Sequence, residues 1–186
     1  MKSKVELFNL ALGRLGIRPL TGTEDARTEA VFCNQFFDSA LEEVLDMGSF
    51  GCSLSRSPLA RLAETPAFEF KYAYALPADF LHIVKLEEGD APFCLERGRM
   101  LCNLERVNIQ YVRKVSDVSE LPPHVANCVA LNLASKLATA VSNSPEMSQQ
   151  FLNELYSTAL PMARTNDRMQ RFKHPGQRFW YEEVSP

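Results

Sequence analysis

The chain has 186 residues, and its 20 Lys and Arg residues against 23 Asp and Glu residues leave a formal net charge of −3. With 46% apolar and 23% charged residues, it is predicted to be one soluble globular domain. This composition excludes a strongly basic nucleic-acid binder and a polyacidic disordered chain. No apolar run approaches the length of a membrane span. The N-terminus lacks the uncharged apolar stretch of a signal peptide, so we expect synthesis in the cytoplasm without export by a cleaved signal.

Two helices are predicted before residue 50. Ser3 and Glu6 have the spacing of a capping box, and Gly16 is predicted to end the first helix. A second capping signal at residues 21–24 precedes apolar residues that recur at helical spacing. This pattern predicts a second helix that ends at Gly48.

Residues 51–120 predict a small antiparallel β-unit inserted between helices. Its first part, residues 51–69, is interpreted as a polar connection. Beyond it, the alternation of side chains predicts strands at 70–76, 80–86, 93–95, 100–104 and 106–112. The third and fourth of these strands form a hairpin whose tip is Arg97-Gly98-Arg99.

Helix returns after the two prolines at 122–123, which suit a first helical turn, and extends to about Val141. Ser144 then caps a fourth helix. This helix is predicted to reach about Arg171, with a kink at Pro161 because proline removes a backbone donor.

The predicted fold class is α+β, mainly α, with long antiparallel helices. Residues 1–50 and 121–171 form a four-helix core, and residues 51–120 form the inserted β-unit with its connecting loops. Residues 172–186 contain two prolines and a glycine and are interpreted as an extended C-terminal tail.

The sequence shows few groups that indicate chemistry. The five cysteines are odd in number and widely spaced, and the histidines share no metal-ligand spacing, so we predict no disulfide framework and no metal site. His82 is interpreted as the polar side of a strand. No phosphate loop, dinucleotide motif or nucleophile motif occurs. A Ser–His or Cys–His system would assemble in space and stays open, but no residue points to one. We therefore predict no enzyme and no cofactor.

The stretch from Pro122 to Ala163 has 42 residues and only three charges, at Lys136, Glu146 and Glu154. Small polar residues with few charges suit close packing against a neighbouring subunit. The alternative is a central helix that its own domain covers. The candidate residues for a subunit interface are Asn132, Ser135, Thr139 and Leu155.

The last 23 residues combine basic and aromatic side chains. An extended terminus has no core of its own for aromatic rings, so we interpret them as anchors for a partner. The alternative is a tail that folds back on its own domain. The candidate binding residues are Arg171, Phe172, Arg178, Phe179, Trp180 and Tyr181.

Short motifs occur in a fixed order along almost the whole chain. They are Asn9-x-Ala11-Leu12-x-x-Leu15-Gly16, Tyr72-Ala-Tyr-Ala-Leu-Pro77-Ala-Asp79, Tyr111-Val-Arg-Lys-Val-Ser-Asp117, Leu121-Pro122-Pro123 and Ala130-Leu-Asn-Leu-Ala134. In this order the chain resembles the head-to-tail joining adaptors of tailed bacteriophages, also called the tail tubular protein A family.

The resemblance implies a structural role with no catalysis. Proteins of this family form a ring of twelve subunits beneath the portal, where they extend the DNA channel and give the tail or nozzle a docking surface. The implied partners are further copies of the chain, the portal protein and the next tail or nozzle protein. Double-stranded DNA would pass through without sequence-specific binding, and no membrane is involved. The implied location is the head–tail junction of the virion, with the host cytoplasm during assembly.

The resemblance also suggests roles for three regions. The C-terminal tail would reach the portal, and the hairpin tip at Arg97, Gly98 and Arg99 would face the tail. Acidic residues such as Glu42, Glu43 and Asp46 are candidates for the channel lumen, because a strongly basic lining would hold DNA.

Two other functions remain open. One is a virion-associated peptidoglycan hydrolase, in which Glu42 and Asp46, one helical turn apart, would act as the catalytic carboxylates. The other is a non-viral protein-binding module.

Overall fold

The structure is a computed structural model that describes residues 3–171, so the predicted tail at 172–186 lies outside the described residues. Among the described residues, 49% are helical and 20% lie in strands, which confirms the predicted α+β, mainly α, class. The helices are α1 (Lys4–Arg14), α2 (Thr28–Gly48), α3 (Pro123–Ala140), α4 (Pro145–Glu154) and α5 (Leu160–Arg171). The strands are β1 (Leu54–Pro58), β2 (Ala60–Arg61), β3 (Tyr72–Ala75), β4 (Phe80–Leu86), β5 (Phe93–Glu96), β6 (Arg99–Cys102) and β7 (Asn108–Arg113).

The first helix, α1, begins and ends as the sequence predicts. The Glu6 N–H donates to Ser3 Oγ over 3.3 Å, and the Ser3 N–H donates to Glu6 Oε2 over 3.2 Å, which completes the capping box. Gly16 follows the helix with a φ of +69°, a conformation that glycine adopts without strain. The helix packs through Phe8, whose ring meets the Phe37 ring of α2 edge-on.

The start of α2 differs from the prediction. The helix begins at Thr28, and Arg27 at its N-cap makes no side-chain capping bond, so the capping signal at 21–24 is wrong. The reason is Asp25, whose carboxylate accepts hydrogen bonds from Thr21 and Arg27 and closes the residues before the helix into a loop. The end of α2 at Gly48 is confirmed.

The β-unit consists of two antiparallel sheets. One has three strands in the order β1-β7-β4, and the other has four strands in the order β2-β3-β6-β5. The five predicted strands all form, with bounds within two residues of those predicted. Between β5 and β6 the chain turns through Arg97 and Gly98, which both have a positive φ, as a two-residue hairpin turn requires.

The interpretation of residues 51–69 as a polar connection is wrong, because β1 and β2 lie there. The β1 segment, Leu-Ser-Arg-Ser-Pro, has a polar composition that does not predict a strand. It becomes one by pairing along its whole length with β7, from Leu54 opposite Val112 to Pro58 opposite Asn108. Backbone pairing with a distant strand therefore decides this element.

Two hydrophobic clusters stabilise the fold. The larger one joins the helices and includes Val112 of β7, and the smaller one lies among the strands and includes Ile109 and Tyr111 of the same strand. Consecutive side chains of a strand point to opposite faces, so β7 contributes to both clusters. This strand ties the β-unit to the helical part.

The fourth predicted helix is divided. Ser144 caps α4 as predicted, since its Oγ accepts the Met147 N–H over 3.3 Å. The helical segment continues to Arg171 as predicted, and a π-helical turn at Leu155–Ala159, just before Pro161, lies between α4 and α5. Proline has no N–H for the carbonyl four residues earlier, and the wider turn just before it accommodates that missing bond.

Candidate functional site

The charge-poor helix α3 lies inside the helical part. Twelve of its 18 residues are buried, and it packs against α1, α2, α4 and α5. Three of the four candidate interface residues are covered by the chain itself: Asn132 is 2% exposed, Ser135 is 3% exposed and Leu155 is fully buried. In this conformation these three side chains cannot contact a neighbouring subunit, which corrects the expectation. Only Thr139 is exposed.

The buried polar side chains of α3 form hydrogen bonds within the chain itself. The Asn132 amide donates to the Ala40 carbonyl over 3.1 Å and to Glu43 Oε2 over 2.9 Å. The Ser135 hydroxyl donates to the Asn132 carbonyl over 2.7 Å. Buried polar groups need such partners. The low charge of α3 therefore reflects its central position, which is the alternative that the sequence left open.

Each acidic residue proposed for the lumen has a cationic or imidazole partner. Glu42 lies 2.9 Å from Lys114 Nζ, Glu43 lies 2.8 Å from Lys136 Nζ, and Asp46 contacts His82. Burial acts to raise the pKa of Glu43, but hydrogen bonds from Lys136, Asn132 and Ser39 outweigh it and leave the pKa below its usual range.

The two carboxylates of the hydrolase alternative have different surroundings. Glu42 lines a cavity of about 420 Å³ together with Lys114 and Val115, and Asp46 does not line it. Asp46 faces the imidazole of His82 on β4. Within residues 3–171, the cavity that Glu42 lines therefore does not place Glu42 and Asp46 on the two sides of a glycosidic bond, as that reaction requires.

At the end of α2, two side chains and the imidazole of His82 on β4 form a chain of contacts that the sequence did not predict. Asp46 Oδ1 lies 2.5 Å from His82 Nδ1, and His82 Nε2 lies 3.0 Å from Ser49 Oγ. Ser49 follows the helix with φ +47° and ψ +46°, in the left-handed region. His82 was interpreted as the polar side of a strand, which does not describe this contact. No spacing rule connects a helix end with a strand 33 residues later, so sequence reasoning had no signal for it.

The end of α5 is fastened to the turn that follows α2. The Gly51 N–H donates to Asp167 Oδ1 over 2.8 Å, and Arg171 Nη1 donates to the Ser49 carbonyl over 3.0 Å. Arg171 also pairs with Asp167 at 3.2 Å. Arg164 adds a hydrogen bond to the Met47 carbonyl at 2.5 Å. These contacts hold the last described residue, Arg171, at a defined place on the helical part.

The same contacts border a basic cavity of about 280 Å³. Its lining residues are Met47, Gly48, Ser49, Arg164, Asp167, Arg168 and Arg171. Three guanidinium groups against one carboxylate leave this cavity with a positive charge.

Of the candidate portal-binding residues, the structure describes only Arg171. The other five (Phe172, Arg178, Phe179, Trp180 and Tyr181) lie outside the described residues. Arg171 ends α5, as the predicted helix boundary has it, and contacts the turn after α2.

The three residues of the predicted hairpin tip differ in exposure and in contacts. Arg97 and Gly98 are exposed at the turn, whereas Arg99 lies in β6 and pairs with Glu64. Apolar side chains on the same sheet are also exposed: Phe93 is 38% exposed and Leu95 is 43% exposed. This edge therefore presents both an apolar and a basic surface.

The motif Tyr72 to Asp79 stabilises the β-unit. The Tyr74 hydroxyl donates to the Leu104 carbonyl over 2.6 Å. The Tyr111 hydroxyl donates to Asp79 Oδ1 over 3.0 Å, and the Lys114 N–H donates to the Asp79 carbonyl over 2.7 Å. The two tyrosines and the aspartate thus connect segments that are far apart in the chain.

Comparison with known proteins finds no family model that matches the chain and no curated protein that is significantly similar to it. Within residues 3–171, no helix is both long and apolar enough to cross a membrane. Among the same residues, no group of three or more His, Cys, Asp or Glu side chains is arranged to hold a metal ion.

Proposed function

We propose that this chain is a structural head-to-tail connector of a tailed phage, a subunit of a twelve-membered ring beneath the portal. The ring extends the DNA channel and docks the next tail or nozzle protein. The protein acts in the virion at the head–tail junction after assembly in the host cytoplasm. Its chemistry in this role is binding, without catalysis.

The observation that carries the proposal is the fastening of Arg171. Asp167, Arg164 and Arg171 attach the end of α5 to the turn after α2. The segment that begins directly after this point contains four aromatic side chains together with Lys173 and Arg178. A binding segment that starts from a rigid anchor loses less conformational entropy when it binds a partner. This placement supports the role of residues 172–186 as the portal-binding tail.

A second support is the exposed edge of the four-stranded sheet. Phe93 and Leu95 lie on β5, and the exposed Arg97 and Gly98 follow at the turn. Phe68, in the loop before β3, is 80% exposed. Aromatic and Arg side chains on a projecting hairpin suit the core of a protein interface, which supports docking of a tail or nozzle protein here.

The contact between ring subunits is proposed on a different surface from the one expected at first. Because α3 is covered, the candidates are apolar side chains exposed on the outer helices. Tyr156 is 52% exposed, Met162 is 60% exposed and Met169 is 72% exposed. Tyr and Met are enriched in interfaces, and a ring joins such a surface to a different surface of the next copy.

Imaging of the chain with its portal tests the proposal. We expect a twelvefold ring on the portal in negative stain. A variant that lacks residues 172–186 is expected to keep its helical circular-dichroism spectrum and to lose portal binding. A chain that stays monomeric in the presence of portal rings contradicts the connector function and favours a protein-binding module.

The subunit contact has its own test. The double variant Met162→Lys and Met169→Lys is expected to bind the portal without forming a closed ring, because the added charges would be buried between subunits. Gln170→Lys adds a charge at an exposed polar position of the same helix and serves as the matched control. Rings that form equally with all three proteins would show that the contact lies elsewhere.

A further inference from the structure

The contact among Asp46, His82 and Ser49 has the connectivity of a nucleophile system. Asp46 Oδ1 lies 2.5 Å from His82 Nδ1, so that nitrogen carries the proton and donates it. In the neutral imidazole, His82 Nε2 then has a free electron pair, and it lies 3.0 Å from Ser49 Oγ. Carboxylate, imidazole and hydroxyl in this order are the parts that activate a serine, whatever their order in the chain.

We propose that Ser49 is the nucleophile of an esterase site, with His82 as its general base and Asp46 as the residue that orients His82. The site hydrolyses an ester whose acyl group carries a negative charge. This activity is additional to the connector function and does not depend on it.

The backbone at Ser49 is a second observation for this site. Helices commonly end with a residue in the left-handed conformation, and that residue is usually glycine. Here Ser49 adopts it with φ +47°, although Gly48 stands next to it. Strained backbone at a reacting residue is typical of active sites, because it presents the side chain in one direction. In this case it presents the hydroxyl to the imidazole.

The cavity beside Ser49 indicates the substrate class. Ser49 lines the basic cavity of about 280 Å³ with Arg164, Arg168 and Arg171. The single carboxylate there, Asp167, already accepts the Gly51 N–H and pairs with Arg171. Guanidinium groups bind carboxylates and also stabilise the negative charge that develops on a carbonyl oxygen. The cavity therefore suits a short acyl chain that ends in a carboxylate.

The reaction has two steps. Ser49 Oγ attacks the ester carbonyl carbon while its proton passes to His82 Nε2, and the carbonyl oxygen takes the electron pair. The intermediate collapses, the bond to the alcohol oxygen breaks, and His82 returns the proton to that oxygen. Water then attacks the acyl group on Ser49 and gives a proton to His82. A second collapse releases the acid and restores the Ser49 hydroxyl with that proton.

The exposure of the site limits the rate that we expect. The side chain of Asp46 is 58% exposed and that of His82 is 32% exposed. Water screens the Asp46 charge, so its help to His82 is smaller than in a closed site. We therefore expect the base to contribute about tenfold to a hundredfold, at or below the lower end of what a positioned general base supplies.

A fluorophosphonate reagent tests the nucleophile directly. The Ser49 oxygen would bond to phosphorus, fluoride would leave, and His82 would take the hydroxyl proton. Peptide mass spectrometry is expected to find the adduct on Ser49, and His82→Gln is expected to slow its formation at least about tenfold. Ser49→Gly removes the hydroxyl and adopts the positive φ without strain. A loss of labelling in this variant therefore reports the missing hydroxyl and not misfolding. Ser116→Ala, at an exposed serine elsewhere, is the control that should label normally.

Two matched esters test the substrate class. The 4-nitrophenyl half-ester of glutaric acid carries a carboxylate, and its methyl ester has the same acyl chain without the charge. The free carboxylate of the half-ester also attacks its own ester, so each rate is compared with the spontaneous rate without protein. We expect the protein to accelerate nitrophenol release more for the charged ester, with a lower preference in Arg168→Gln. Equal labelling of the wild type and His82→Gln, or an adduct absent from Ser49, overturns the site. Equal acceleration of the two esters over their spontaneous rates overturns the acidic substrate class. Neither assay involves the portal, so failure here is separate from failure of the connector function.

Discussion

Replacement of Asp167 by alanine is expected to destabilise the helical part by about 2 kcal/mol. Asp167 is 7% exposed, and it accepts the Gly51 N–H at 2.8 Å and pairs with Arg171 at 3.2 Å. A hydrogen bond to a charged group contributes about 1.5–3 kcal/mol to stability. The ion pair adds less than about 1 kcal/mol, because the side chain of Arg171 is 31% exposed and water screens it. The alanine also leaves the part-buried Gly51 N–H without its acceptor.

Urea denaturation followed by circular dichroism measures this loss. For a chain of this length, about 2 kcal/mol corresponds to a fall in melting temperature of about 4 to 8 °C. Asp167→Asn keeps an oxygen for the Gly51 N–H and loses only the charge, so we expect about half the effect. Asn166→Ala, at the exposed neighbouring position, is the control. If Asp167→Ala lies within about 0.5 kcal/mol of the wild type, as for ordinary surface substitutions, the fastening of α5 does not contribute to stability. The proposed anchor for the tail would then lose its basis.

Three further predictions concern stability. Asn132→Ala removes a buried amide that donates to two acceptors, so we expect a loss of about 1–3 kcal/mol in urea unfolding, and a loss below about 0.5 kcal/mol would contradict its buried role. The hydrogen bond from Arg27, together with those from Thr21, lowers the pKa of Asp25 from 3.8 to about 2. The ionised carboxylate therefore stabilises the fold above pH 4, and this contribution to the free energy of unfolding disappears as the pH falls towards 2. Acid titrations of wild type and Asp25→Asn should therefore differ in stability at pH 6 and converge near pH 2, and a constant difference would refute the linkage. Gly48→Ala is expected to destabilise by more than about 3 kcal/mol, because its Cβ would lie 1.9 Å from the buried Phe50 ring. Gly13→Ala is the matched comparison: its Cβ meets no atom within 4 Å, and we expect a gain of about 0.5 kcal/mol in thermal melts.

Local chemistry made several elements predictable. Ser3 and Ser144 cap helices because a hydroxyl three residues before a backbone N–H satisfies it wherever the chain lies. Gly16 ends α1 because it adopts a positive φ without strain. The alternation at 80–86 reproduces the bounds of β4. Each of these signals operates within a few residues, so the rest of the fold does not alter it.

Other elements depend on partners that are distant in sequence. The polar segment Leu54–Pro58 is a strand only because β7 pairs with it. The capping signal at 21–24 failed because Asp25 found its donors in Thr21 and Arg27 and closed a loop. The π-helical turn at Leu155–Ala159 accommodates the proline that was expected to cause a kink.

The low charge of residues 122–163 shows that the sequence alone also limits what can be predicted about function. Composition indicates that α3 avoids water, but it does not distinguish a neighbouring subunit from the chain's own helices. The structure decides this, because Asn132 and Ser135 find their acceptors inside the subunit. The proposed placement of the subunit contact on Tyr156, Met162 and Met169 could not be reached from periodicity alone.

By itself, the sequence determined the fold class, the helix caps at Ser3 and Ser144, most strands and the nearly neutral charge, because these follow from local propensity and side-chain pattern. Only the tertiary structure decided which residues meet. It brought Ser49 to His82 across 33 residues and Gly51 to Asp167 across 116 residues. Contacts between segments so far apart arise from packing of whole elements, which has no fixed spacing in the chain. The candidate site, the proposed anchor of the tail and the covered position of α3 all belong to this second group.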